Sequence, residues 1–392
     1  MGFVREYGWG YVAAFTGLAL VLVVGSALMP KAAAQLGASI PPDRVVAQLH
    51  LVGGAYPQSL RDAMAAQRSA PMDLARALGA ARALIDEGRN RGDSRLVGAA
   101  VGVLRPFLSD PTAETLYLAA TARQYQHDFV GALALLDQAL ALSPDDINAQ
   151  LSRATILIVR GDYAAARADC QRITEQRRPD IGFLCHATSE ILTANGPVFA
   201  TRLQEILQQP GLLDPQLHGW AMGLIAEVAI HQGDLKLAIA QLEAVLAADP
   251  LALRERVMLA DLLLEADQPT AALDLLAPAP ETDGVLIRRV LIARAMGRAA
   301  EDSRLVAILD KRFKLNLDLG LTAHAREEAL YFLTVANDPG QALARAKVNW
   351  ALQHEVEDAL LLLQAAAAMN EPEAGQPVRD WMAQNAVLPK AM

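Results

Sequence analysis

Apolar residues recur along most of the chain at intervals of three and four, the spacing of one face of an α-helix. In the segment after Asp128, for example, Ala132, Leu136 and Ala139 fall on one such face. Hydrophobic residues make up 53% of the chain and aromatic residues only 5%, so Ala and Leu carry most of the apolar content. Both residues lose little side-chain entropy in a helix. The pattern predicts an all-α protein.

The same pattern also repeats over a longer distance. Phe129 recurs as Tyr163 and Ala238 recurs as Ala272, with 34 residues separating the members of each pair. Two helices of about a dozen residues and two short turns fill such a period. Each repeat is therefore predicted to be a helical hairpin, and the chain a stack of hairpins.

Gly-Asp pairs mark the turn inside several units, as at Gly161-Asp162 and Gly233-Asp234. Glycine tolerates a left-handed backbone at the end of the first helix, and aspartate caps the second. The best-matching units are predicted at residues 113–146, 147–180, 219–252 and 253–284, with a slightly long unit at 181–213. Weaker hairpins are predicted at residues 72–108, 285–313, 321–352 and 355–384.

The first segment of the chain differs from the rest. Tyr11 to Met29 is almost wholly apolar and is long enough to span a bilayer. Pro30 follows, and Ala32-Ala33-Ala34 is a small-residue site of the kind that signal peptidase accepts. Residues 1–34 are predicted to be a cleaved signal peptide or an N-terminal membrane anchor. In the first case the rest of the chain is predicted to be a free periplasmic protein. In the second it is predicted to be anchored in the membrane and to face the periplasm.

The domain organisation follows from these patterns. Residues 35–59 contain Pro and Gly and are predicted to form a linker, and residues 60–392 are predicted to form one continuous solenoid. The last residues, Ala386 to Met392, contain a Pro and have little periodicity, so we expect them to fray.

Charge and motifs exclude several classes of function. A formal net charge of −9 would repel a phosphate backbone, so nucleic acid is not expected as a partner. The chain has no Gly-rich phosphate loop, no His-Glu-x-x-His and no Gly-x-Ser-x-Gly motif. The acidic pairs Asp145-Asp146 and Glu327-Glu328 are interpreted as solvated faces or helix caps. We predict a protein that is not an enzyme and that has no cofactor and no metal.

The two cysteines, Cys170 and Cys185, are too few for a disulfide framework, and their spacing is not that of a zinc site or a redox pair. In an exported chain they could join one helix to the next. The interpretation that we favour is two small buried thiols.

The units resemble the tetratricopeptide repeat. Phe129, Ala132, Ala139 and Pro144 match the aromatic, small and proline positions of that family's pattern, although Leu116 stands in place of its usual Trp. The resemblance implies a right-handed α-solenoid of antiparallel helical hairpins. The chain is also similar to uncharacterised bacterial membrane-anchored or exported proteins of this layout, in particular in the stretches 326–350 and 358–364.

In the family, the first helix of each hairpin lines a concave groove that binds a partner segment. The resemblance therefore implies a non-enzymatic interaction scaffold or assembly factor of the bacterial cell envelope, with a protein partner. A permanent structural subunit of a membrane complex, packing through its outer helices, is the alternative. The positions that match the groove face are Tyr117, Thr121, Gln124, Tyr125, Asn148, Leu151, Thr155, Trp220, Glu227, His231, Arg254, Asp261 and Glu265.

Overall fold

The computed structural model describes residues 56–209 and 211–387. Within these residues the regular structure consists of nineteen α-helices and three short 3-10 helices, with no β-strand. The prediction of an all-α solenoid of helical hairpins is confirmed. The predictions for the apolar segment at residues 1–34, and for most of the linker, lie outside the described residues.

A first helix, α1, precedes nine hairpins. It spans Gln58–Ser69. The hairpins are α2 (Leu74–Arg91) with α3 (Ser94–Leu104), α4 (Ala113–Tyr125) with α5 (Phe129–Leu142), α6 (Ile147–Val159) with α7 (Tyr163–Glu175), α8 (Pro179–Glu190) with α9 (Gly196–Leu207), α10 (His218–Gln232) with α11 (Leu235–Ala248), α12 (Leu253–Glu265) with α13 (Pro269–Leu276), α14 (Asp283–Ala295) with α15 (Ala299–Asp318), α16 (Ala325–Thr334) with α17 (Pro339–Trp350), and α18 (Val356–Ala368) with α19 (Gln376–Gln384).

The hairpin turns use the predicted chemistry. Gly161 and Gly233 adopt φ angles of 70° and 77°, in the left-handed region that costs other residues strain. The side chains of Asp162 and Asp234 then accept hydrogen bonds from backbone N–H groups in the first turns of α7 and α11, at 3.1 and 3.0 Å. Each Gly-Asp pair thus ends one helix and begins the next.

Hydrophobic seams hold each hairpin together and join it to its neighbours. Phe129, Leu136 and Ala139 of α5 are almost fully buried against α4 and α6. First helices also pack on first helices, as in α4 on α6 and α14 on α16. This repeated packing builds a solenoid whose inner surface is formed by first helices.

The solenoid curves until its turns contact hairpins six further along the chain. The turn at Gly161 meets the last hairpin: the N–H of His354 donates to the carbonyl of Val159 at 2.9 Å, and Trp381 packs on Gly161. In the hairpin α2–α3, two hairpins before the one that contains Gly161, the turn residue Gly92 lies against Thr282 at the start of α14.

Between these two contacts, the turn at His127 is close enough to His324 and Arg326 for both to act on its pKa. Together with burial, they lower the pKa of His127 to about 3. The turns at Gly92 and Gly161 thus contact C-terminal hairpins directly, and the turn between them lies within electrostatic range of one.

Two predictions about local structure are wrong. Cys170 and Cys185 form a disulfide between α7 and α8, with a Cα–Cα distance of 5.4 Å. They are brought together because α8 folds back antiparallel on α7. Ala386 does not fray: its carbonyl accepts from the N–H of Ala194 at 3.0 Å, and Val387 is buried. Residues 388–392 lie outside the described part of the chain.

Candidate functional site: the central groove

Six elements from distant parts of the chain meet in the concave groove. They are α6, the start of α7, α8, α10, α12 and the start of α18, and they enclose a pocket that we call the central pocket. Its polar lining consists chiefly of Thr155, Thr188, Glu227, Arg254, Glu355 and Glu357. Its cavity volume of about 40 Å³ is room for a few water molecules but not for a peptide.

Apolar side chains form the rest of the pocket wall. Ile158, Leu192 and Val356 line it beside the polar groups, and the ring of Tyr163 closes one side. Tyr163 packs in turn on Trp381, with 6.2 Å between the ring centroids. The last hairpin therefore narrows the groove at this level instead of leaving it open.

Ion pairs connect successive first helices along the groove. Arg254 of α12 donates to Glu227 of α10 at 2.7 Å. Arg288 of α14 makes a two-pronged contact with Asp261 of α12, at 2.9 and 2.8 Å. Such paired geometry is the strong form of an arginine–carboxylate interaction. Two of the predicted groove carboxylates are thus engaged within the solenoid.

A buried polar network lies next to the pocket, at the start of α18. Arg326 of α16 donates to both oxygens of Asp358, at 2.6 and 2.7 Å, and also to Glu355. Asn349 donates to Asp358 at 2.6 Å, and the N–H of Glu355 donates to it at 3.1 Å. Asp358 is 1% exposed, so these contacts replace the water that it would otherwise bind.

Burial controls the protonation of the pocket carboxylates. Burial raises the pKa of Glu355 from 4.5 to about 7, although Arg326 opposes the shift, while Asp358 and Glu357 add to it. Burial also raises the pKa of Glu227, against the attraction of Arg254. Glu357 reaches solvent at the groove surface; partial desolvation by its surroundings acts to raise its pKa, but Arg254 and Arg326 outweigh this effect, and the pKa lies below its ordinary value.

The thirteen predicted groove residues have very different surroundings. Only Thr155, Glu227 and Arg254 line the central pocket. Tyr125 donates to the carbonyl of Gly88 at 3.3 Å and Trp220 to Thr188 at 3.1 Å, so both contact the preceding hairpin. The buried members of the set are Thr121, Gln124, Leu151, Thr155 and Glu227; the half-buried members are Tyr117, Tyr125, Asn148, Trp220, His231, Arg254 and Asp261; Glu265 is exposed.

The repeat pattern did not predict the contributions of Arg326, Glu355 and Glu357 to this site. In the sequence, Arg326 and Asp358 stood out only as members of the two stretches for which we expected a resemblance to bacterial proteins. Glu328 was interpreted as solvated or capping and is instead fully buried, in an ion pair with Arg345. The helix face that carries it turns toward α17, which the local pattern does not reveal.

Residues 125–182 match a family model described as tetratricopeptide repeat. The chain therefore contains tetratricopeptide repeats. The matched segment runs from the end of α4 through α7, the helices whose turns and seams are described above. Such repeats are protein–protein interaction modules and are typically not catalytic. No curated protein matches this repeat protein.

Several solved repeat structures resemble the chain at low identity. A tetratricopeptide repeat protein from Parabacteroides merdae is 13% identical, with a TM-score of 0.36, and the match covers 79% of this chain and 99% of that one. Yeast Tom70 is 12% identical, with a TM-score of 0.39, and the match covers 84% of this chain and 81% of that one. The Cut9 and Hcn1 assembly of the APC/C also matches, at 12% identity, a TM-score of 0.40, and coverages of 83% and 68%.

The described residues contain neither a cluster of metal-ligating side chains nor a helix that could span a membrane. Among residues 56–209 and 211–387, no three His, Cys, Asp or Glu side chains are grouped so that they could hold a metal ion. In the same part of the repeat protein, none of the helices combines the length and the apolar character that a membrane span requires.

Proposed function

We propose that this repeat protein is an interaction scaffold or assembly factor of the bacterial cell envelope, and that it holds a segment of a partner protein in its concave groove. The observation that carries the proposal is the groove itself. First helices from successive hairpins, together with the start of α18, present hydroxyl, carboxylate, guanidinium and aliphatic groups to one enclosed space. A single side chain of a partner segment bound along the groove would find there both charge and apolar surface.

The disulfide supports the assignment to the envelope. Cys170 and Cys185 are each 1% exposed and are bonded to each other across the α7–α8 turn. Disulfides form and persist in the periplasm and outside the cell, whereas cytosolic thiols are kept reduced. The apolar segment at residues 11–29 supplies a route to that compartment, as a signal peptide or as an anchor.

A second candidate function is that of a permanent structural subunit of a membrane complex, packing through its outer helices. Large apolar side chains exposed on second helices favour it. Val198 of α9 is 71% exposed and Leu142 at the end of α5 is 60% exposed. A subunit buried in a complex would cover such residues.

The test uses the full chain, produced in its bacterial host with a C-terminal tag and purified from membranes in mild detergent. We compare the wild type with Glu357→Lys in the groove and with Val198→Lys on α9. Both residues are exposed, so neither substitution disturbs the core.

Loss of the co-purifying partner with Glu357→Lys alone supports the groove scaffold. Loss with Val198→Lys alone supports the structural subunit. The mass of the mature N-terminus tests the location: a chain that begins near residue 35, or an intact chain in the membrane fraction, is expected. A full-length chain in the cytosolic fraction, with free thiols, would refute the assignment to the envelope.

A further inference from the structure

The central pocket has more carboxyl than guanidinium groups, and the ionisation of Glu355 above about pH 7 adds to its negative charge. Four carboxylates, those of Glu227, Glu355, Glu357 and Asp358, lie in it or directly behind it. Two guanidinium groups oppose them: Arg254 pairs with Glu227, and Arg326 is shared between Asp358 and Glu355. His354 also lines the pocket, but burial lowers its pKa, so it adds no positive charge at neutral pH.

One buried acceptor at the pocket is unsatisfied. Glu355 is 8% exposed, and its Oε2 accepts from Arg326. The Glu355 side chain also forms a capping box with the backbone of Asp358, but its Oε1 is fully shielded from bulk solvent and has no hydrogen-bond partner within the described chain. Leaving a buried carboxylate oxygen without a donor costs free energy, so a ligand that brings one would be favoured.

The shape of the pocket limits what that ligand can be. A cavity of about 40 Å³ accepts a group the size of a few water molecules. The wall formed by Ile158, Leu192 and Val356 suits an alkyl stem, and the carboxylates suit a positively charged head. A lysine or arginine side chain combines a stem and a head in that order.

The geometry points to the central pocket as the seat of one basic side chain from the partner segment, with its head group donating to Oε1 of Glu355 and lying beside Glu357. This inference rests on the proposed function, because it names the chemistry by which the groove selects its partner. The lysine or arginine head takes the place of pocket water, and its stem lies along the apolar wall.

The test is a selection of random peptides displayed on phage against the purified full chain. The targets are the wild type, the double variant Glu355→Gln/Glu357→Gln, and the control Glu243→Gln on the exposed face of α11. Glutamine keeps the size of each side chain, and circular dichroism would verify that each variant is folded. We expect peptides selected by the wild type and the control to share a Lys or Arg at one position, and the double variant to lose that preference.

A second measurement follows the affinity of the selected peptide. Replacing its basic residue by norleucine, which keeps the stem without the charge, should weaken binding about tenfold or more. Binding should also weaken as the pH falls from about 8 to about 6, because Glu355 then becomes protonated in the field of Arg326, Asp358, Glu357, Glu227 and Arg254. In a competition assay, n-butylammonium should displace the bound peptide only at a concentration much higher than that at which the free peptide does so.

Each other outcome has a distinct meaning. Selected peptides without a fixed basic residue would overturn the inference and leave the groove scaffold standing. The failure of any peptide to bind in the groove would overturn both. If n-butylammonium competes as well as the peptide does, the pocket is a site for free amines, and the assignment to a partner side chain is wrong.

Discussion

Replacing Arg326 by methionine tests how the last two hairpins are held together. The substitution keeps an apolar stem and removes the cation that Asp358 contacts at 2.6 and 2.7 Å. The side chain of Asp358 is 0% exposed, so water cannot take the place of Arg326 without local opening. Removing one partner of a buried ion pair costs about 3–5 kcal/mol, because the remaining charge is left uncompensated.

The double variant Arg326→Met/Asp358→Asn shows whether the unpaired charge of Asp358 is the cause of the loss. Asparagine keeps the shape of Asp358 and an oxygen that accepts from Asn349, but it is neutral, so no unpaired charge is left at position 358. The double variant should therefore lose less stability than the single one, about 1–2 kcal/mol. Arg379→Met, at an exposed arginine of α19, is the matched control and should change stability by about 0.5 kcal/mol or less.

The assay is urea unfolding followed by circular dichroism, together with hydrogen exchange of peptides from α16 to α19. Hydrogen exchange is needed because a stack of repeats can unfold segment by segment. A single urea unfolding transition then underestimates a loss of stability that is confined to a few helices. The Arg326→Met chain should exchange faster in these helices than in α4 to α7. A single variant as stable as the wild type to within about 1 kcal/mol, or no less stable than the double variant, would refute the reasoning.

Three further predictions concern other contacts. Because the pKa of Glu355 rises from 4.5 to about 7 on folding, the native chain binds more protons between these pH values. This residue should lower the free energy of unfolding by about 3 kcal/mol as the pH rises through that range, and Glu355→Gln should remove that contribution in urea titrations, leaving the smaller one of Glu227. Gly161→Ala should cost more stability than Gly233→Ala, because both have positive φ but only a Cβ at 161 would meet a tryptophan ring; equal losses in thermal unfolding would contradict the close contact. Cys170→Ser/Cys185→Ser opens a loop of sequence separation 15 and should cost about 3 kcal/mol, and alkylation of the unreduced wild type followed by mass spectrometry should find no free thiol.

Much of the local structure could be predicted because it depends on neighbours in sequence. The 34-residue period, read from pairs such as Phe129 and Tyr163, indicates a hairpin because two helices and two turns fill that length. The turn at Gly161 follows from backbone sterics alone, and the cap at Asp162 from the unpaired N–H groups of a helix start. These features need no knowledge of distant segments.

The candidate site was predictable only in part. Periodicity identifies the first helices, but it does not show which of their polar residues pair with each other. Glu227 and Asp261 were predicted as groove residues, and each pairs with an arginine of the next first helix. Glu355 and Glu357 were not predicted at all, because their hairpin lies far along the chain from α6 and α8, whose residues line the same pocket.

The sequence by itself determined the repeating unit: its length, its turns, its seams of small and aliphatic residues, and the family to which the units belong. Only the tertiary structure decided that Cys170 and Cys185 bond, that Glu328 is buried, and that the hairpin of Trp381 closes on the turn at Gly161. The physical reason is that curvature arises from a small rotation between neighbouring hairpins, summed over many interfaces. No local pattern records that sum, yet it brings residues six hairpins apart into one pocket.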